Sequence, residues 1–236
     1  MKYIERLKKL GQGLLDLVFP VSCLVCGQEN TFLCTQCQAV LPRLTQQQCL
    51  VCQTPSPFGK THTNCVTKNS VDGAIAGLTY KDRNVQNIIE VFKYNFVSDL
   101  SAPLADFMIE GINNQGLSDY FQDFTVVPVP LHIRRFNWRG FNQAKLLASA
   151  LGASLSLKVD DKLVQRQKFT QPQTKLTADQ RKQNMDNAFG IVGDVINKKL
   201  LLVDDVVTSG STANELAKIL KRAGASEVWL ATVAHG

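Results

Sequence analysis

Apolar residues change rhythm several times along this chain, and each change marks out an element. Ile4, Leu7, Leu10, Leu14 and Leu17 recur at helical spacing and predict a short amphipathic helix within 1–19, docked on the body of the protein, with a membrane surface as the alternative. From 20 to 68 the pattern gives way to polar residues, glycines and paired cysteines, with few apolar side chains. Regularity returns at VDGAIAGLTY (71–80), which reads as a strand. VQNIIEVFKY (85–94) and LSAPLADFMIEGI (100–112) have the three-and-four spacing of helices. FTVVPVPL (124–131) is an apolar strand ended by prolines. FNQAKLLASALG (141–152) follows as a helix, with Gly152 in a C-cap position. Short apolar strands come next, near 191–196 and 200–204. A helix over 213–223 with Gly224 at its end and a last strand, VWLATVA (228–234), complete the series. Strands alternating with helices predict a mostly parallel sheet with flanking helices, and such sheets bind ligands beyond their carboxyl strand ends. Three parts follow: a helix at 1–19, a small N-terminal module at 20–68, and an α/β domain at 71–236.

A chain of 236 residues that is 44% hydrophobic holds one α/β domain of ordinary size plus a small appendage. No apolar run reaches membrane-spanning length. The basic N-terminus is followed only by a short patch interrupted by Asp16, which argues against a signal peptide and for a cytoplasmic location. Net charge is +6, but unevenly placed. Residues 131–182 carry eleven Lys or Arg against three acids, whereas 71–130 carry three against eight. The middle of the chain is a candidate polyanion surface, suited to diphosphate or to nucleic acid; a solvated face is the plainer reading.

All seven cysteines precede residue 66: Cys23 and Cys26, Cys34 and Cys37, Cys49 and Cys52, and then Cys65. His62 stands three residues before Cys65, so HxxC takes the place of a fourth CxxC. Eight soft ligands suffice for two tetrahedral Zn²⁺ sites, because a two-residue spacer lets both ligands of a turn face one metal. Pairing in order gives Cys23, Cys26, Cys34 and Cys37 at one site, with Cys49, Cys52, His62 and Cys65 at the other. A crossed pairing has the same spacings. A disulfide framework fits poorly with an odd count and no secretory signal. Four protein ligands leave no open position, so the metal role is structural.

The densest chemistry lies in LLVDDVVTSGST (201–212), an apolar strand running into paired acids and then a hydroxyl- and glycine-rich loop before a helix. Backbone N–H groups at such a helix start favour phosphate. Thr208, Ser209, Ser211 and Thr212 add hydroxyls, and Gly210 lets the backbone approach the ligand. Asp204 and Asp205 lie one short turn away, at the reach of a ribose diol. An ordinary capped turn is the alternative, but two acids ending a buried strand are costly without a role. The motif resembles the phosphoribosyl-diphosphate (PRPP) motif of type I phosphoribosyltransferases.

Two basic segments accompany it. HIRRFNWRGFNQAK (132–145) holds Arg134, Arg135, Arg139 and Lys145 without an acid, and the planar arginine fork suits diphosphate. A solvated basic turn over Trp138 and Phe141 is the alternative. The amide-rich stretch 165–190 suits a lid carrying Arg166, Lys168, Lys175 and Arg181 over a ligand, or else a disordered connector.

Together the CxxC pairs, FKY (92–94), VPVPLHIRR (127–135), RGFNQA (139–144), QTKLTADQRKQNMDNAF (173–189) and LLVDDVVTSGST resemble the ComF family, bacterial phosphoribosyltransferase-like proteins with an N-terminal double zinc ribbon. The resemblance implies a type I phosphoribosyltransferase fold and a link to competence: natural transformation and DNA uptake, with handling of single-stranded DNA. Some family members from non-competent bacteria are associated instead with carbon utilisation. By the family's pattern Asp204 and Asp205 hold the ribose hydroxyls and, indirectly, Mg²⁺. Thr208 to Thr212 wrap the 5′-phosphate, and the Arg134–Arg135 loop faces the diphosphate. His62 departs from the more usual cysteine, a change zinc accepts.

Two classes of function remain. One is an enzyme transferring a 5-phosphoribosyl group from Mg²⁺-bound PRPP to an acceptor, by positioning and charge neutralisation. The other is a single-stranded DNA-binding protein that tracks phosphates with the 131–182 surface and stacks bases on Phe136, Trp138 or Phe141. The paired acids favour the first, and the local charge of +8 the second. A PRPP-sensing regulator without turnover is a third reading. For the zinc module, expected partners are DNA, a helicase-like protein of DNA uptake, or the sheet itself.

Overall fold

The computed structural model describes residues 21–94, 97–131, 141–166 and 189–236. The expected amphipathic helix at 1–19 lies outside them. The chain forms two compact units, 1–41 and 42–236.

In the first unit, turns carry Cys23 and Cys26 toward a short helix, α1 (Thr35–Val40), which Cys34 caps by accepting from the Cys37 N–H. Gly27 sits at φ +79°, the left-handed turn that follows the first CxxC.

The second unit is built on a five-stranded parallel sheet. Its strands are β1 (Gly73–Thr79), β2 (Phe124–Pro128), β3 (Lys158–Val159), β6 (Lys199–Val207) and β7 (Glu227–His235), in spatial order β1-β7-β6-β2-β3. The central strands β6 and β7 are buried almost throughout, the near-continuous apolar run that a doubly covered parallel sheet requires. Helices α2 (Arg83–Tyr94), α3 (Ser101–Asn114), α4 (Gln143–Leu155) and α5 (Ser211–Arg222) connect the strands. Helices α3 and α4 pack against each other and the sheet, while α5 packs on β7. An antiparallel hairpin of β4 (Val164–Arg166) and β5 (Phe189–Ile191) brackets 167–188.

Strand β1 is an edge of the sheet, and residues 42–61 cover it. Antiparallel bridges join Arg43 to Leu78 and Lys60 to Gly73. The buried Gln47 side chain donates to the Ala76 carbonyl at 2.9 Å and accepts from the Ala76 N–H at 3.0 Å. The edge thus has its backbone groups paired rather than open to another chain. The compact units divide at 41–42, inside the module that sequence composition bounds near 68–71, because the second cysteine group is laced to β1 by these bonds.

Helix α4 corrects a smaller reading. Gly152 is not its end. The helix runs on to Leu155 and closes at Ser156, in left-handed conformation (φ 57°), whose N–H bonds the Gly152 carbonyl. Gly152 is needed for close packing, since a Cβ there would lie 2.3 Å from Val159 Cγ2 of β3.

Candidate functional site

Strands β2 and β6 are neighbours whose onward connections leave in opposite directions. Strand β2 continues through α4 to the outer strand β3, while β6 continues through α5 to β7. A crevice opens where the two paths part, at the carboxyl ends of the strands. Here a cavity of about 310 Å³ is lined by Tyr80, Lys93, 129–131, Asn142, Gln143, Arg166, Asp204, Asp205, Val206, Thr208 and Thr212. A smaller hollow of about 70 Å³ lies inside the loop itself, walled by Asp204, 206–213 and Leu230. The two share Asp204, Val206, Thr208 and Thr212.

A phosphate cradle and a capped turn differ in what caps the helix that follows the loop. Gly210 is the N-cap of α5, in left-handed conformation at φ 67°, and no side chain caps the helix. The hydroxyls of Ser209 and Ser211 bond each other at 3.1 Å. Helix-start N–H groups, left uncapped by side chains beside an open hollow, are what an anion requires. Thr208, Ser209, Ser211 and Thr212 are exposed around it.

Asp205 is 8% exposed, and Lys93 of α2 meets it with Nζ 3.2 Å from Oδ1. Asp204 accepts from the Asp205 N–H at 2.9 Å. The two acids are thus brought together with a cation that sequence reasoning did not place in the site. Its signal was FKY (92–94), quoted as a family feature without a role. Gln143 fixes the same helix by donating to the Lys93 carbonyl at 2.9 Å. His235, at the carboxyl end of β7, is also new. It is 7% exposed, and burial holds its pKa below the ordinary value, while the Thr208 backbone opposes that shift.

Of the basic residues, Arg166 ends β4, stacks its guanidinium 4.9 Å over the Phe189 ring and lines the cavity. It is a hairpin strand that carries it. Arg134, Arg135 and Arg139 of the basic loop, and Lys168, Lys175 and Arg181 of the expected lid, lie outside the described residues.

The soft ligands gather in sequence order: Cys23, Cys26, Cys34 and Cys37 in one group, Cys49, Cys52, His62 and Cys65 in the other. Ligand atoms within each group lie within 4.8 Å of one another. Cys26 and Cys34 Sγ are 3.7 Å apart. That is the edge of a tetrahedron with Zn–S bonds of ~2.3 Å. His62 fits as well. Its Nδ1 is 3.3 Å from Cys52 Sγ, and its Nε2 is 3.2 Å from the Pro55 carbonyl. A backbone acceptor on the far nitrogen fixes the tautomer that frees Nδ1 for metal. Hydrogen bonding by Thr54 holds Cys52 down at about 6, whereas burial pushes Cys65 up to about 11. Cys23 is held at about 6 against its burial by the backbone at Cys34, Cys26 and Val25. Both donor sets suit zinc.

Comparison with known proteins finds a zinc-ribbon part, which runs across the 41–42 border, and a phosphoribosyl transferase part. Residues 14–66 match the double zinc ribbon domain, and 138–236 match the phosphoribosyl transferase domain. The chain is 31% identical over 215 residues to DNA utilization protein YhgH of Salmonella typhimurium, covering 88% of each. It is 24% identical over 221 residues to competence protein ComFC of Streptococcus pneumoniae, covering 92% of this chain and 94% of the other. Competence protein F of Haemophilus influenzae is 40% identical over 107 residues, 44% of this chain and 46% of that protein.

Proposed function

The chain belongs to the ComF family, which includes these DNA utilization and competence proteins, and from that membership we propose that it is a PRPP-binding protein acting in DNA uptake in the cytoplasm. One observation carries the reading: the uncapped loop at 208–212 and the acids Asp204 and Asp205 open into hollows with common walls, at the point where the sheet's connections part. The loop hollow takes the 5′-phosphate. Asp204 and Asp205 face the ribose diol and, through it, Mg²⁺ carried by the diphosphate. Lys93 holds the Asp205 carboxylate in place, and Arg134, Arg135 and Arg139 meet the diphosphate. In a transfer reaction the bond from the anomeric carbon to the diphosphate oxygen breaks. Positive charge then develops on the sugar and negative charge on the departing group. The chain's contribution is charge neutralisation and alignment of an acceptor rather than a nucleophile. The larger cavity, at about 310 Å³, is at the small end of ligand sites.

Calorimetric titration of the zinc-loaded protein with PRPP, with and without Mg²⁺, tests this. Saturable binding that depends on Mg²⁺ is expected; no heat from folded protein rejects the sugar-phosphate site. A second reading, single-stranded DNA on the same face, is favoured by the eleven cationic residues of 131–182, more than one PRPP needs. The two separate on the double change Asp204→Asn and Asp205→Asn. PRPP binding should weaken by on the order of tenfold or more, while DNA binding should stay equal or tighten as repulsion is lost. A parallel loss of both would mean one shared site.

A further inference from the structure

The second ligand group and the phosphate loop touch through one side chain. Leu50 lies between Cys49 and Cys52, is 3% exposed, and belongs to the apolar cluster under β6 and α5. It lies directly against Gly210. A Cβ on residue 210 would fall 3.0 Å from Leu50 Cδ1 and 3.2 Å from its Cβ. The left-handed loop residue therefore rests on the metal-binding turn.

A second path starts from the other half of the ligand group. Thr61, next to His62, donates its hydroxyl to the Val71 carbonyl at 2.6 Å, and its N–H to the Asp72 carbonyl at 2.8 Å. The Val71 N–H in turn donates to Asn214 Oδ1 at 3.0 Å, and Asn214 N–H bonds the Gly210 carbonyl at 2.8 Å. The ligand pairs Cys49–Cys52 and His62–Cys65 are thus each tied to the first turn of α5. A metal clamping the pairs together would fix both supports at once.

We propose that Leu50 is a positioning residue for the phosphate loop, and that metal at Cys49, Cys52, His62 and Cys65 is coupled through it to anion binding at 208–212. The ligand class rests on the sugar-phosphate reading above; the mechanical coupling does not. By reciprocity, a phosphate group seated in the loop slows loss of this metal and leaves the Cys23 group, in the other compact unit, unaffected.

Hydrogen exchange of the loop segment 207–214 in the full-length, zinc-loaded chain tests the coupling without any ligand. Amides of 228–234 in β7 report global opening. Leu50→Ala should retain two zinc ions per chain yet speed exchange at 207–214 by on the order of tenfold, with 228–234 little changed. Leu50→Met, of similar volume, should restore the slow exchange. Cys52→Ser should speed exchange at 207–214, and Cys26→Ser should not. Slow exchange at 207–214 in Leu50→Ala, or equal effects of Cys52→Ser and Cys26→Ser, overturns the coupling. Should Cys52→Ser unfold, Leu50→Ala against Leu50→Met still decides. PRPP titrated into the same proteins reads the other premise. If the wild-type chain fails to bind it while the exchange pattern holds, the ligand reading falls and the coupling stands. If PRPP binds, Leu50→Ala should weaken it several-fold, and PRPP should slow chelator-driven release of one zinc of the two.

Discussion

Lys93 and Asp205 show how a single residue carries both stability and function in this protein. Their side chains are 16% and 12% exposed, so the pair is shielded from water and weakly screened. Lys93→Met removes the cation and strands a buried carboxylate. The expected loss is about 1–3 kcal/mol in urea unfolding, together with weaker PRPP binding. Asp205→Asn in the same chain should recover part of the stability but not the binding, a split that a double-mutant cycle measures. His235 adds a pH dependence of known sign. Burial lowers its folded pKa below the ordinary 6.5, and nearby Lys81 acts in the same direction. The neutral ring is the one that fits, so its stability contribution is complete above 6.5 and is lost as pH falls through the folded value. Melting temperature between pH 7 and pH 5 should fall less steeply in His235→Gln than in the wild type. The zinc ligands titrate in both proteins, so the difference in slope isolates His235.

Helix ends and glycines show which parts of the elements could be read from sequence. Helices α2, α3 and α5 announced themselves by apolar spacing, and β6 and β7 by apolar runs, because burial on one or both faces leaves a periodic trace. Strands β3 and β4, of two and three residues, leave no such trace. A glycine is ambiguous for a different reason: the same missing side chain serves a left-handed cap or a tight approach. Gly152 serves the approach and Ser156 takes the cap. Opposite signs follow for two small changes. Gly152→Ala drives a methyl into Val159 and should cost about 1–3 kcal/mol, whereas Ser156→Gly relieves a left-handed serine and should gain up to about 1 kcal/mol. Urea midpoints of the two variants check both. The acids, the hydroxyl loop and the soft ligands were legible because their chemistry is local in sequence. Lys93 and His235 were not, because each joins the site only through the fold, from α2 and from the far end of β7.

At the scale of the whole molecule, the two ligand groups are alike in chemistry and unlike in what surrounds them. Cys23, Cys26, Cys34 and Cys37 lie in a unit of 41 residues, below the size at which a core alone sustains a fold, and among its described residues Leu33 and Leu41 are the buried apolar side chains besides cysteines. Cys49, Cys52, His62 and Cys65 lie in the unit of the sheet, where Gln47, Leu50 and Thr61 tie them to β1 and the central core. Sequence composition groups all eight ligands in one N-terminal module at 20–68, apart from the α/β domain. The division at 41–42 leads to a different expectation. Cys23→Ser with Cys26→Ser should unfold the first unit and leave the main urea transition of the chain in place. Cys49→Ser with Cys52→Ser should move that transition itself, by about 2 kcal/mol or more, since an unclamped turn releases Leu50 from the core and Gln47 from the sheet edge. Zinc content of one ion per chain in each variant, measured beside the unfolding curves, assigns each loss to its site. Equal shifts in the main transition would mean that both groups belong to one cooperative unit. No shift from either would mean that the sheet holds the second ribbon in shape without its metal.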